Sequence, residues 1–346
     1  MVKLFITGAT GFLGSELIPI IAGECESLYL LVRKKSLLRA KQKYADFSNV
    51  KFVVGDLTNP DLIEGEYNEL LGEVDSILHM GAYYDLEGSY KDCFIQNIEG
   101  TMNLLFFASL CPNLKSLHYI STVAISGESS GEFLEDDFDH REEITNEYSK
   151  TKWEAERLIR SWKSEAKVRI YRPGIIIGNS KTGDFEKVDG PYYFWKTLSN
   201  VKMLSPLISK LPFLPMPINP HATLPIISVD NAARLIKNGL LLDRKEKLMT
   251  FHLVEHMCPN VLDLVNDSLK EFSIDANIKL MDNHPLIEKT FKILGLPKEI
   301  IHYMITPVEY SVTNSLKHLG LNEQRGFDNY KDIILKKAKK RFGVSK

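Results

Sequence analysis

Thr7-Gly8-Ala9-Thr10-Gly11-Phe12-Leu13-Gly14 follows without a break on the apolar run Val2-Lys3-Leu4-Phe5-Ile6. These residues spell a strand, a turn with a glycine at every third position, and a helix whose apolar face carries Phe12, Leu13, Leu17, Ile20 and Ile21. Gly8 frees the chain to turn sharply out of the strand. Gly11 lets backbone N–H groups approach an anion with no Cβ in the way, and Gly14 lets the helix pack close to the sheet. The helix N-terminus adds partial positive charge. The turn is therefore expected to cradle a dinucleotide pyrophosphate, with Gly8, Thr10, Gly11, Phe12, Leu13 and Gly14 as the contacts. Glycine spacing alone is a weak sign; the strand before it and the apolar helix after it supply the context.

Outward from this turn, short apolar runs at 3–7, 27–32, 51–54, 76–80, 116–121 and 167–171 alternate with helical stretches, among them 95–110 and 147–162. That alternation predicts an α/β fold, a Rossmann-type doubly wound parallel sheet with helices on both faces. After Tyr171 the texture changes to Pro- and Gly-rich sequence with aromatics at Tyr192, Tyr193, Phe194 and Trp195, then returns to a strand-then-helix pattern from Ile226. The expected division is a nucleotide-binding domain over residues 1–175 plus about 222–248. A smaller C-terminal substrate-binding domain takes about 176–221 plus 249–330, and a basic helix or tail takes 331–346. Residues 204–220, rich in Leu, Pro, Phe and Met, read as the lining of an apolar pocket or as the core of a lid.

The bulk numbers exclude several classes. The chain has 346 residues, 44% hydrophobic and 25% charged, with a formal net charge of −2, so no global field points to nucleic acid. No apolar run approaches the length of a membrane span, and the N-terminal strand lacks the pattern of a signal peptide. Cys25, Cys93, Cys111 and Cys258 are scattered and read as reduced thiols of a cytoplasmic protein. His221, His252 and His256 have no metal-ligand spacing, so no metal is expected. Lys336, Lys337, Lys339, Lys340 and Arg341 read as a solvated helix end, with attachment to an acidic surface as the alternative.

Tyr148 and Lys152 stand four residues apart at the start of a helix that Thr145 or Asn146 would cap, so they share one helical face. An ammonium about 5 Å from the phenol, at an effective dielectric near 20, favours the phenolate by roughly 3 kcal/mol, about two pKa units. That shift would bring the phenol nearer the range useful for acid–base chemistry. Upstream, His118-Tyr119-Ile120 runs into Ser121 and Thr122, hydroxyls at the carboxyl edge of a predicted strand, where parallel sheets bind ligands.

TGATGFLG, Gly55-Asp56-Leu57, the Tyr148/Lys152 pair and Arg172-Pro173-Gly174-Ile175-Ile176-Ile177-Gly178, in this order, resemble the extended short-chain dehydrogenase/reductase superfamily over most of residues 1–245. Leu30-Leu31-Val32-Arg33, His79-Met80-Gly81-Ala82, Ser121-Thr122 and Gly190-Pro191 are most similar to its thioester-reductase and fatty acyl-CoA reductase branch, the male-sterility type. The resemblance implies hydride transfer from a nicotinamide cofactor by a Ser/Thr–Tyr–Lys set. Tyr148 would be the acid/base, Lys152 would hold the nicotinamide ribose, and Thr122 would orient the substrate, with Ser121 in reserve. Asp56 and Leu57 would flank the adenine, and Gly81 and Ala82 would line the cofactor. Asn97 would be the structural asparagine, and Arg172, Pro173 and Ile175 would approach the nicotinamide end. Gly81 departs from the alanine expected in that stretch. The chain shows no adenylation or carrier domain and no extra C-terminal helical domain, which suggests a free or separately carried substrate. The match thins over 250–330.

Where an NAD-binding strand usually ends in a carboxylate for the ribose 2′-hydroxyl, this chain has Val32 followed by Arg33, Lys34 and Lys35. A guanidinium pairs with a 2′-phosphate that a carboxylate would repel. NADP(H) is thus expected over NAD(H), with Arg33 as the main contact and Lys34 beside it. The expected function is NADPH-dependent reduction of a carbonyl substrate: an acyl thioester, aldehyde or ketone. The alternatives are an NAD-dependent nucleotide-sugar epimerase or dehydratase, and a non-catalytic dinucleotide-binding regulator. A homodimer through the two long helices is the expected assembly.

Overall fold

The computed structural model describes residues 2–84, 89–138, 144, 146–201 and 205–343. Its centre is a seven-stranded parallel sheet built from β1 (Val2–Thr7), β2 (Cys25–Val32), β3 (Val50–Val54), β4 (Ser76–His79) and β5 (Ser116–Ile120), completed by two later strands. The short β6 (Gly131–Phe133) lies outside it, β7 (Lys167–Pro173) belongs to it, and β8 (Ile175–Ile177), β9 (Leu214–Met216) and β10 (Ile226–Ser228) do not. β11 (Leu248–Leu253) is its last strand; β12 (Ile278–Leu280) and β13 (Val308–Tyr310) pair with β9 and β6.

The spatial order is β11-β7-β5-β4-β1-β2-β3. It reverses between β1 and β4, so the crevice at their carboxyl ends is the topological switch point where such sheets take ligands. The strands read as nearly continuous apolar runs because both faces are covered. One face packs Leu4, Ile6, Leu28 and Leu30 against helices including Phe12–Ile21 and Val229–Leu240. The other packs Phe5, Tyr29, Ile77 and Leu117 against Leu104, Phe107, Ala155 and Ile159 from the Gly100–Leu110 and Glu147–Ser161 helices. The helical reading of 95–110 is realised as a π-helical stretch, Phe94–Glu99, running into the α-helix Gly100–Leu110.

A second core is sewn together from separate parts of the chain. Ile177, Tyr192 and Trp195 meet Met216, Val265, Phe291, Ile334 and Leu335. Two sequence expectations need correction here. The sequence places residues 249–253 in the substrate domain, but β11 pairs with β7 along its length and extends the main sheet. Its buried Met249, Phe251 and Leu253 complete a face that would otherwise be open. The basic C-terminal residues form the helix Lys331–Gly343, which buries Ile334, Leu335 and Ala338 in the second core. Several of its charges are partnered, Lys331 with Asp267, Lys337 with Asp184 and Lys339 with Glu271, while Lys336 and Lys340 stay exposed on the solvated face expected from the sequence.

Candidate active site

A cleft of about 860 Å³ runs from the switch point of the sheet into the second core. Its floor is set by Gly8 and Gly81. Gly8 has φ +75°, and a Cβ there would lie 2.6 Å from the Gly81 nitrogen. The Thr7 hydroxyl accepts from the Gly81 N–H at 3.0 Å and lies 2.7 Å from His79 Nδ1. Burial holds that imidazole down to about 3, so it is neutral. The Phe12–Ile21 helix starts at Gly11 with no side-chain cap and no acidic residue in its first turn. Its first N–H groups are left for an anionic ligand. At Gly14 a Cβ would come within 2.5 Å of the Ala9 carbonyl oxygen, so this glycine serves helix packing and does not line the cleft.

Beyond β2 the cleft is lined by Arg33, Ser36, Arg39 and Lys43. Lys34, expected beside Arg33, is absent from the lining. The 3-10 turn Lys34–Ser36 carries it away, and the following Leu37–Lys43 helix presents Arg39 and Lys43 instead. Opposite them stand Asp56 and Leu57; Asp56 is fixed by accepting from the Thr58 N–H and hydroxyl, both at 3.0 Å. A cationic edge, a fixed carboxylate and an uncapped helix start, all on one trench, fit a nicotinamide dinucleotide.

At the other end Thr122, Tyr148 and Lys152 share one wall. Asn146 caps the Glu147–Ser161 helix by accepting from Ser149 N–H at 2.8 Å, which sets Tyr148 and Lys152 on the sheet-facing side; Thr145 lies outside the described residues. Lys152 is buried, donates to the Ile120 carbonyl at 2.6 Å and sits 4.3 Å above the Tyr119 ring. Desolvation lowers its pKa to about 7, against the pull of Glu156. Tyr148 is pushed well above the ordinary phenol range, first by desolvation and then by the charge of Asp189, while a hydrogen bond with Thr122 works the other way. The depression expected from Lys152 is not seen. Burial and the Asp189 charge set the shift, and the phenol is held in its protonated form. Thr122 itself accepts from the Ala124 N–H at 3.2 Å, leaving its own proton to donate.

Ser121 also lines the cleft. Its buried hydroxyl has no hydrogen bond of normal geometry and lies near the Glu156 carboxylate, which it helps to keep charged. Arg172 differs from expectation, for it does not line the cleft. It is fully buried, with Nη2 donating to Glu156 at 2.7 Å and Nη1 to the Glu135 carbonyl at 3.3 Å, so its guanidinium is already committed. Pro173 and Ile175, next along the chain, do line the cleft, as do Gly81 and Ala82. Asn97 is a clamp behind the wall. It accepts from the Tyr83 N–H at 2.8 Å and donates to Thr151 at 3.0 Å, tying the loop after β4 to the helix of Tyr148.

The structure adds residues that the sequence reading missed. Tyr84 meets Tyr148 edge-on, ring centroids 4.8 Å apart, and donates to Asp189 at 2.6 Å. Asp189, with its own pKa raised by burial, supplies the charge that raises the phenol named above. Its only cue was the neighbouring Gly190-Pro191. The deep end is apolar, with Phe194, Met216, Leu224, Val265, Phe291 and Met304 on its walls. Among the described residues there is no group of side chains arranged to hold a metal ion.

The family model described as "Male sterility protein" matches residues 6–236. A nonribosomal peptide synthetase of Aspergillus flavus, asaC, is 32% identical over 207 residues, covering 52% of this chain and 20% of that protein. The L-2-aminoadipate reductase of Saccharomyces cerevisiae is 27% identical over 271 residues, covering 68% of this chain and 18% of that protein. The chain thus spans about a fifth of these relatives. The crystal structure of the terminal R domain from the myxalamid PKS-NRPS pathway superposes with a TM-score of 0.77 at 22% identity, covering all of this chain and 92% of that one.

Burying Lys152 has a testable energetic cost. Its folded pKa, about 7, lies below the ordinary lysine value of about 10.4, so the unfolded chain binds the extra proton between these limits. This group's penalty is therefore full below pH 7 and relieved as pH rises toward 10. Lys152→Met is expected to raise the melting temperature of the ligand-free protein at pH 6 and to gain less at pH 10. An equal loss at both values would show that no charge penalty exists.

Proposed function

From the premise that this chain belongs to the male sterility family of NAD-binding proteins, extended short-chain oxidoreductases, we propose that it is an NADPH-dependent carbonyl reductase. The observation that carries the reading is the common wall shared by Thr122, Tyr148 and Lys152, in one cleft with the glycine turn. Relatives named as a reductase and as a peptide synthetase support a thioester or aldehyde as substrate. The apolar deep end favours an acyl chain over a nucleotide sugar, whose diphosphate and hydroxyls would need polar partners there. A regulator would have no use for a protonated phenol hydrogen-bonded to a second hydroxyl in the cleft.

A bound reduced nicotinamide dinucleotide would supply the hydride that attacks the carbonyl carbon. Gly8, Thr10, Gly11, Phe12 and Leu13 would hold its pyrophosphate, Asp56 and Leu57 its adenine, and Gly81, Ala82, Pro173 and Ile175 its nicotinamide half. The protein's part is proton delivery and orientation. Thr122 donates to the carbonyl oxygen and fixes its direction. Tyr148, held protonated by its surroundings, gives its proton to that oxygen as negative charge develops. Lys152, whose proton affinity lies near neutrality, then stabilises the phenolate left behind. With a thioester the resulting hemithioacetal collapses to aldehyde and thiol. A 2′-phosphate would be met by Arg33, with Arg39 and Lys43 beside it, and no carboxylate stands at the end of β2 to repel it. The exposed stripe of Met102, Phe106 and Leu110 on the Gly100–Leu110 helix supports pairing of two copies. Among the described residues no helix is long and apolar enough to cross a membrane.

Three measurements test this reading. Tyr148→Phe is expected to cut turnover with NADPH and an apolar aldehyde by about two to four orders of magnitude, and near-normal turnover would refute the assignment. Arg33→Ala should weaken NADPH by about tenfold or more while leaving NADH unchanged; equal affinity of the parent protein for the two cofactors would end the preference argument. For the assembly, light scattering should find a dimer that Phe106→Glu converts to monomer, and a monomeric parent would remove the proposal.

A further inference from the structure

The basic C-terminal helix has a place in this site. Arg341 donates through Nη1 to the Phe185 carbonyl and through Nη2 to the Glu186 carbonyl at 3.2 Å, and its guanidinium lies 4.2 Å from the centre of the Phe185 ring. Lys337 pairs with Asp184 at 2.5 Å, and its side chain fills the space over Gly183, which has φ +73°. The Phe185 ring stacks on Tyr192 at 3.9 Å and leans on Phe342. The helix thus grips consecutive residues of one segment, 183–186.

That segment borders the dinucleotide trench. Phe185, Glu186, Lys187 and Asp189 all line the cleft. On one side it is tied to the glycine-turn helix by Asn179 donating to Glu16 at 3.1 Å. The Glu186 charge also reaches Tyr44, whose hydroxyl donates to the Ala9 carbonyl. On the other side it ends on Tyr84 through Asp189. The strap therefore spans from the pyrophosphate end to the phenol end.

We propose that the C-terminal helix is a clamp on the cofactor cleft: Arg341, with Lys337, holds residues 183–189 along the trench and so sets how tightly the dinucleotide is retained. This rests on the dinucleotide reading above. Arg341 is a positioning residue, since it acts through the strap and does not itself line the cleft.

The test is a fluorescence titration of the full chain with NADPH, alongside hydrogen exchange of the ligand-free protein. Arg341→Ala should raise the NADPH dissociation constant about tenfold, the worth of lost charged hydrogen bonds. It should speed amide exchange over 183–189, and leave kcat at saturating NADPH and the aldehyde KM unchanged. Arg341→Lys should recover only part, because an ammonium cannot reproduce the forked donation. Should Arg341→Ala fold poorly, Lys337→Ala removes the exposed pair alone and should shift both readouts in the same direction. Unchanged NADPH affinity and exchange in a folded variant would overturn the clamp and leave the reductase reading standing. A parent protein that binds no dinucleotide would overturn both.

Discussion

The site depends on one close approach. Gly8, leaving β1 with positive φ, comes so near the backbone of Gly81 after β4 that a Cβ has no room between them. This contact brings the two halves of the sheet together at the point where strand order reverses, and the trench lies directly above it. The neutral His79 and the Thr7 hydroxyl satisfy the polar groups beneath it without adding charge. The glycine at 81, unexpected beside the family pattern, has a local reason. A Cβ there would meet the Leu57 side chain at 2.5 Å and the Thr7 hydroxyl at 3.0 Å.

Behind the wall of Thr122, Tyr148 and Lys152 lies a buried polar network that keeps it in place. Glu156 accepts from Arg160 and Arg172, Arg172 reaches the Glu135 carbonyl and His252, and the Glu135 carboxylate accepts from the Ser315 hydroxyl at 3.0 Å. Each charge has its partners, which is the condition under which burying it is tolerable. Tyr148, Lys152, Glu156 and Arg160 recur every fourth residue along one helix. One stripe thus presents the phenol to the cleft at one end and anchors in the network at the other.

What the sequence made legible was local. The glycine turn, six strands of the sheet, and the i, i+4 relation of Tyr148 and Lys152 follow from spacing and periodicity. So does the Asn146 cap, which needs only a short polar side chain at a helix start. Long-range relations were not legible. Nothing in Arg172 itself says that Glu156 will engage it, and the basic run 33–35 does not disclose that a single 3-10 turn sends Lys34 outward. The sign of the Tyr148 shift was missed for the same reason. The pairwise argument saw a cation four residues away, whereas the phenol is governed by desolvation and by Asp189, which is 41 positions along the chain. β11 has only a short alternation and falls where the family resemblance fades.

The two cores divide the labour of the cleft. The wall of Thr122, Tyr148 and Lys152 stands on the sheet. The far wall is built by side chains of the second core, such as Met216, Val265 and Phe291, drawn from separate stretches of chain. Exchanging residues on that far wall alters the shape offered to an incoming molecule without disturbing Thr122, Tyr148 and Lys152. A scaffold partitioned in this way can diversify its diet while its reaction stays fixed.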